Sequence, residues 1–157
     1  MSVDYIVSSL PSLVFGVPAP ISWEKFTAAV GDATFLSHLT KSFNDLETQL
    51  RNAMAEARGG ERFKRPADGC SLYWRNRVLA CFQEKDVAKR DELLDRTWWD
   101  AAGELTPPSE PLGKGALATY AIRLKIALKR TNISKDAGNA AFDRLTAETK
   151  REKATFK

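Results

Sequence analysis

The sequence predicts an all-α protein: one helical bundle of five to six helices preceded by an extended, proline-rich arm over residues 1–21. Three observations predict it. Between Thr34 and Arg58 the apolar residues Phe35, Leu39, Phe43, Leu46, Leu50, Met54 and Ala57 recur at intervals of 4, 4, 3, 4, 4 and 3. That spacing keeps them on one face of a 3.6-residue helix. Residues that stop helices stand between such segments, at Gly59-Gly60 and at Pro107-Pro108. A length of 157 residues with 43% hydrophobic and 10% aromatic side chains is enough to bury one sizeable core, so a single domain over 1–157 is expected.

The arm holds Tyr5, Ile6 and Val7, after which Pro11, Pro18 and Pro20 deny both a continuing helix and a central strand. It is expected to be extended, or one short turn of helix, laid over the core. Ser22 caps a first short helix carrying Trp23, Phe26 and Val30, and Gly31 stops it. Asp32 or Thr34 opens the long helix of about seven turns, on whose flank Glu47 and Arg51 form an i,i+4 pair. Residues 59–70 read as a loop carrying Arg62, Lys64 and Arg65.

The next helix, 71–83, has an apolar arc of Leu72, Trp74, Val78, Leu79, Cys81 and Phe82, with Arg75 projecting into its middle. Asp86 caps a helix over 87–105 with the stripe Val87, Leu94, Trp98, Ala101 and Leu105. Trp98 belongs to the core stripe. Trp99 lies about 100° round from it, which requires either a second contact surface or an exposed ring. Residues 106–115 form a proline-broken loop. The helix 116–130 places Leu117, Tyr120, Ala121, Leu124 and Leu128 on one face and Ile122 and Ile126 on another, as a central helix would. Asn132 ends it and Ser134 starts the last helix, whose narrow stripe is Ala141, Phe142 and Leu145; the charged tail 150–157 frays.

Twenty-four Lys and Arg against twenty Asp and Glu leave a net charge of +4, mixed along most of the chain. This balance permits nucleic-acid binding without arguing for it. No apolar run approaches the roughly 20 residues that span a bilayer, and Asp4 with the early prolines does not read as a signal peptide. A cytoplasmic location is expected. Cys70 and Cys81, with ten residues between them, belong to no Cys/His cluster and read as reduced thiols, Cys81 in the core.

Catalytic chemistry finds little support in the residues. His38 is the single histidine; it lies beside the Phe35–Leu39 stripe without a neighbouring cysteine and reads as a boundary residue. Asp91, Glu92 and Asp95 share a helix with Lys89, Arg90 and Arg96, which makes a mutually screened, solvated face a better reading than a metal or acid–base pair. Gly59-Gly60 is a helix stop, and Lys114 between Gly113 and Gly115 follows no strand, so neither forms a phosphate cradle. The expectation is a protein that is not an enzyme and has no catalytic residue, cofactor or metal.

Interface candidates are Trp99, Arg51 and Arg75, since tryptophan and arginine are enriched among interface hot spots. An arginine amid apolar neighbours must be paired, and for Arg75 an internal carboxylate such as Glu47 or Asp95 is expected, or else a partner's carboxylate. An alternative nucleic-acid patch consists of Arg58, Arg62, Lys64 and Arg65. It is compact, but Phe63 is its one interleaved aromatic, so a solvated loop is preferred. Arg123, Lys125, Lys129 and Arg130 point in several directions round their helix and form no patch.

Four stretches carry a family resemblance. They are Tyr5-Ile6-Val7-Ser8-Ser9-Leu10-Pro11-Ser12-Leu13; Leu50-Arg51-Asn52-Ala53; Leu94-Asp95-Arg96 with Trp99-Asp100; and Tyr120-Ala121-Ile122-Arg123-Leu124 followed by Gly138 and Phe142. In order and approximate spacing they resemble an uncharacterised bacterial family associated with V/A-type ATPases and similar to the C-type stalk component of those enzymes. The resemblance implies an all-helical, non-catalytic part of the central stalk, coupling the rotor shaft to the membrane ring. Its partners would be other ATPase subunits, and it would meet the membrane only through them. The C-type component is roughly twice as long, so the resemblance implies a reduced version, a regulatory relative or a stand-alone adaptor.

Overall fold

The computed structural model describes residues 2–31, 33–66, 71–132 and 135–155, apart from the side chains of 33–40, 42 and 135–141. Within these residues the protein is all-helical: α1 Val3–Ser9, α2 Trp23–Val30, α3 Ala33–Ala57, α4 Leu72–Cys81, α5 Val87–Ala102, α6 Lys114–Thr131 and α7 Lys135–Thr155. Two short 3-10 turns, Glu61–Phe63 and Gly103–Leu105, follow α3 and α5. Seven α-helices exceed the five or six expected because the start of the chain is not an extended arm. Ser2 accepts a hydrogen bond from the Tyr5 amide and caps two turns of helix before Pro11 is reached. The expected single turn was too short.

Caps set the other helix ends. The Ser22 hydroxyl accepts from the Lys25 amide, and Gly31 takes the left-handed conformation (φ 78°) that stops α2. Ser71 accepts from the Trp74 amide at the start of α4, and Asp86 accepts from the Ala88 and Lys89 amides at the start of α5. The predicted capping residues Asp32 and Ser134, like Cys70, lie outside the described residues.

α6 is the central helix. Its first face joins Leu117, Ala121 and Leu124 to Ile6 of α1 and Phe26 of α2, with Leu10, Leu13 and Ile21 of the intervening segment packed around them. Its second face brings Ile122 against Phe43 of α3 and Ala102 of α5, flanked by Ile126. A third cluster, Leu50, Ala53, Trp74, Val78 and Ala101, closes α3, α4 and α5 on one another, and Leu46 and Trp98 bridge the last two clusters. Burying these side chains supplies the main favourable term, about 25 cal/mol per Å² of apolar surface removed from water.

Four expected core positions face solvent, Leu145 among them. Leu72, Val87 and Phe142 are exposed because each occupies the first turn of its helix or a helix with little cover. Among the described residues, α7 makes no extensive contact with another element, so Phe142 and Leu145 remain uncovered. The N-terminal segment is held to α6 by polar contacts as well: the Tyr120 hydroxyl donates to the Pro11 carbonyl (2.8 Å), and the Ala19 amide donates to Thr131 Oγ1 (3.1 Å). Burial pushes the Tyr120 phenol above its ordinary value. No described helix is long and apolar enough to cross a membrane.

Candidate interface groove

α3 is long enough to present two faces. Phe43, Leu46, Leu50 and Ala53 point into the core, while Asn44, Thr48, Arg51, Ala55 and Arg58 line the outer side. The chain then turns back beside this outer face and makes an open groove of about 800 Å³.

The turn has a specific cause. Gly59 adopts φ 74°, its amide donates to the Glu56 carbonyl (3.0 Å), and the Gly60 amide donates to the Ala55 carbonyl (2.8 Å). These two bonds satisfy the terminal carbonyls of α3 in the Schellman arrangement, which needs a residue without Cβ at the left-handed position. The 3-10 turn then brings Phe63 back over Gly60, where an added Cβ would lie 3.0 Å from the ring. Asn52 fixes the far wall: its amide nitrogen donates to the Arg65 carbonyl (2.7 Å) and its oxygen accepts from the Arg65 amide (2.8 Å). One α3 side chain therefore clamps the Arg65 backbone against the groove.

Groove electrostatics are cationic but interleaved. Arg51, Arg58 and Arg65 line it together with one carboxylate, Glu47, which accepts from Arg51 at 2.9 Å. Most of the Arg51 side chain is in solvent (71% exposed). Met54, Ala55 and Phe63 supply apolar surface between the guanidinium groups.

The predicted site residues do not converge on one place. Arg51 lines the groove. Arg75 of α4 lies behind it and pairs with Glu56, Nε to Oε2 at 3.0 Å, rather than with Glu47 or Asp95. The expectation of an internal pair is thus met with a different carboxylate. Asp95 is committed elsewhere: it accepts from Lys129 (2.9 Å) and Arg130 (3.0 Å), fastening α5 to α6. Trp99 is not an exposed ring. It is buried, packs edge-on against Phe15 at 5.5 Å, and carries the Arg123 guanidinium 5.4 Å from its centre. Its second contact surface belongs to the N-terminal segment, and Phe15 is in turn flanked by Arg96 and Arg130. Trp98, expected in the core, is half-buried at the join of two clusters. Burial also pushes the Arg123 guanidinium below its ordinary value.

The four residues of the alternative nucleic-acid patch are adjacent but largely engaged. Arg58 lies 5.5 Å from the Phe82 ring and Arg62 4.8 Å from the Phe63 ring. Lys64 faces Glu56 (3.4 Å) and Glu61 (3.6 Å). Sequence reasoning missed the groove itself. The signal was the pair Asn52 and Gly59-Gly60, which together fold the loop back on α3.

Glu56 connects the groove's loop to α4, since it meets both Arg75 and Lys64. The Arg75 hydrogen bond, with Lys64 adding to it, holds Glu56 below the ordinary carboxylate value of 4.5. A depressed carboxylate value contributes stability above the unfolded value and loses it as pH falls through the folded one. We expect wild-type melting temperature to fall more steeply from about pH 5 downward than that of Glu56→Gln. Parallel pH profiles for the two proteins would show that this clamp adds no linkage.

Among the described residues no group of three or more His, Cys, Asp or Glu side chains could hold a metal ion, and no buried side-chain nitrogen or oxygen lacks a hydrogen-bond partner. The arrangement offers contact surface in the groove and internal clamps elsewhere. Comparison with protein-family models, with curated proteins and with solved structures finds no match to this chain.

Proposed function

We propose that this protein is a non-catalytic assembly or coupling subunit of a V/A-type ATPase, similar to the C-type component of the central stalk, acting through protein–protein contacts. The observation that carries contact as its mode of action is the α3 groove, where exposed arginine and apolar surface alternate along the helix and the loop that follows it. A coupling part must transmit force without internal slip. The Asp95 clamp to Lys129 and Arg130 and the Arg77–Asp100 pair (2.8 Å), which ties α4 to α5, suit that requirement. The ATPase setting rests on the resemblance of the Tyr5–Leu13, Leu50–Ala53, Leu94–Asp100 and Tyr120–Leu124 stretches. On this reading the protein works on the cytoplasmic side, peripheral to the membrane through its complex.

The nucleic-acid reading is weaker for a stated reason. A phosphate backbone needs several free cations to displace its counterions and aromatics to stack its bases, whereas Arg62 lies over the Phe63 ring, Lys64 stands between two carboxylates and Phe63 is the one aromatic within the patch. Affinity purification of the tagged full chain from its native host at moderate salt, with mass spectrometry, tests the proposal. Reproducible recovery of ATPase stalk proteins is expected. Their absence, with nucleic acid or unrelated proteins in their place, would overturn it.

A further inference from the structure

We propose that the α3 groove receives an acidic amphipathic helix of a partner protein. The inference deepens the coupling reading and rests on its premise that the chain works through protein contacts.

Shape points to a helix. The lining runs from Asn44 to Arg58 along one helix, a length of about 21 Å at 1.5 Å per residue, or about four helical turns. The opposite wall is Gly60, Phe63 and Arg65, held beside the C-terminal half of this stretch by the Asn52 clamp, and it leaves an open trough instead of a closed pocket. An open trough along one side of a helix is a surface that helix-in-groove recognition uses.

Charge points to an acidic one. Three arginines line the trough against one carboxylate, so its lining carries an excess of two positive charges. Arg51 and Arg58 lie seven residues apart on α3, two turns along the same face, and Arg65 looks across from the opposite wall. Glutamates spaced by one or two turns on a partner helix meet that pattern, and carboxylates match the planar guanidinium fork in two-pronged hydrogen bonds. Exposed Arg51 can exchange its Glu47 partner for an incoming carboxylate with little desolvation.

Composition points to an amphipathic one. Met54 and Phe63 lie among the arginines, and Phe63 is 66% exposed. Methionine adapts its shape to varied apolar surfaces, and a leucine or isoleucine on the docking helix would cover both. A polynucleotide fits less well, because Phe63, the one aromatic ring in the lining, gives successive bases no stacking platform.

Fluorescence anisotropy tests the proposal on the full chain. The probe is a labelled 16-residue helical peptide of Glu, Ala and Leu with leucines at i,i+4 spacing; the controls are its Lys-for-Glu counterpart and a labelled single-stranded RNA 16-mer. The acidic peptide is expected to bind at least about tenfold more tightly than either control. The double variant Arg51→Glu with Arg65→Glu is expected to weaken it at least about tenfold while the melting temperature holds. Should that variant lose stability, Arg51→Gln with Arg65→Gln replaces it, with a loss of about threefold or more expected. Equal binding of the two peptides, tighter binding of RNA, or indifference to both double variants overturns the groove. Stalk proteins recovered equally by wild type and double variant would leave the coupling reading standing and remove the groove from it. Peptide binding that depends on Arg51 and Arg65, with no stalk protein recovered, would keep the groove and remove the coupling reading.

Discussion

Phe26→Ala is expected to cost about 3–5 kcal/mol, a large part of the roughly 5–15 kcal/mol that separates most folded domains from their unfolded chains. Phe26 has no exposed surface, stacks on Tyr120 at 5.4 Å and touches Trp23 at 5.3 Å, while Ile6, Leu117 and Leu124 close around it. Truncation removes the ring's transfer energy and leaves a cavity bounded by three elements that cannot collapse together. For a chain of this size the loss corresponds to a fall of about 6–20 °C in melting temperature. Thermal unfolding followed by circular dichroism reads it directly. Phe26→Leu, which keeps most of the apolar volume, should lose much less. A change under about 1 kcal/mol for the alanine variant would mean that α2 is not seated on α6 in solution.

Gly115→Ala sets two effects of opposite sign against each other. Helix propensity alone favours alanine by about 1 kcal/mol within the first turns of α6. Sterics oppose it: a Cβ there would run into the Leu105 carbonyl oxygen and lie 3.2 Å from Pro107 Cδ. Both obstacles are backbone or ring atoms, so no side-chain rotation relieves them, and overpacking of this kind costs about 3 kcal/mol. The net expectation is a loss of about 2 kcal/mol. Nearby bonds resist the shift that relief would need, since Thr119 donates to the Ala102 carbonyl (2.8 Å) and meets Thr106 Oγ1 (2.7 Å). Gly113→Ala is the useful comparison. Its Cβ would meet Glu110 Oε2 at 3.1 Å, which can turn away, and Glu110 Cβ at 3.2 Å, which has to give by only a few tenths of an ångström. Denaturant unfolding of both variants should rank Gly115→Ala well below Gly113→Ala. Equal midpoints, or a stabilised Gly115→Ala, would show that the α5–α6 corner opens easily.

Periodicity made α3 and α6 legible, because both helices bury residues on faces wide enough to leave a regular apolar spacing. The two faces of α6 were readable separately for that reason. Short polar caps made the starts of α2, α4 and α5 legible as well. α1 was not, since three downstream prolines dominate the composition while its own determinant is a single Ser2 hydroxyl. Trp99 showed its off-stripe phase plainly, but not that Phe15, 84 residues earlier, would cover it. The partner of Arg75 was similarly hidden: Glu47 and Glu56 both lie on α3, nine residues apart, and only the α3–α4 offset selects Glu56. The groove depends on a backbone fold-back, which leaves no apolar period to read.

The central position of α6 has a consequence for synthesis of the chain. α1 and α2 pack chiefly on a helix that begins 84 residues after α2 ends. A ribosome adding about 5–20 residues per second needs about 4–17 s to translate that interval, and longer to clear all of α6 from its exit tunnel. Throughout that time Ile6, Phe26 and the leucines between them have no native surface to cover them. The nascent N-terminal fifth is therefore open to chaperones for that interval, and synonymous codons that slow translation between α2 and α6 should lower the soluble yield of an otherwise unchanged protein.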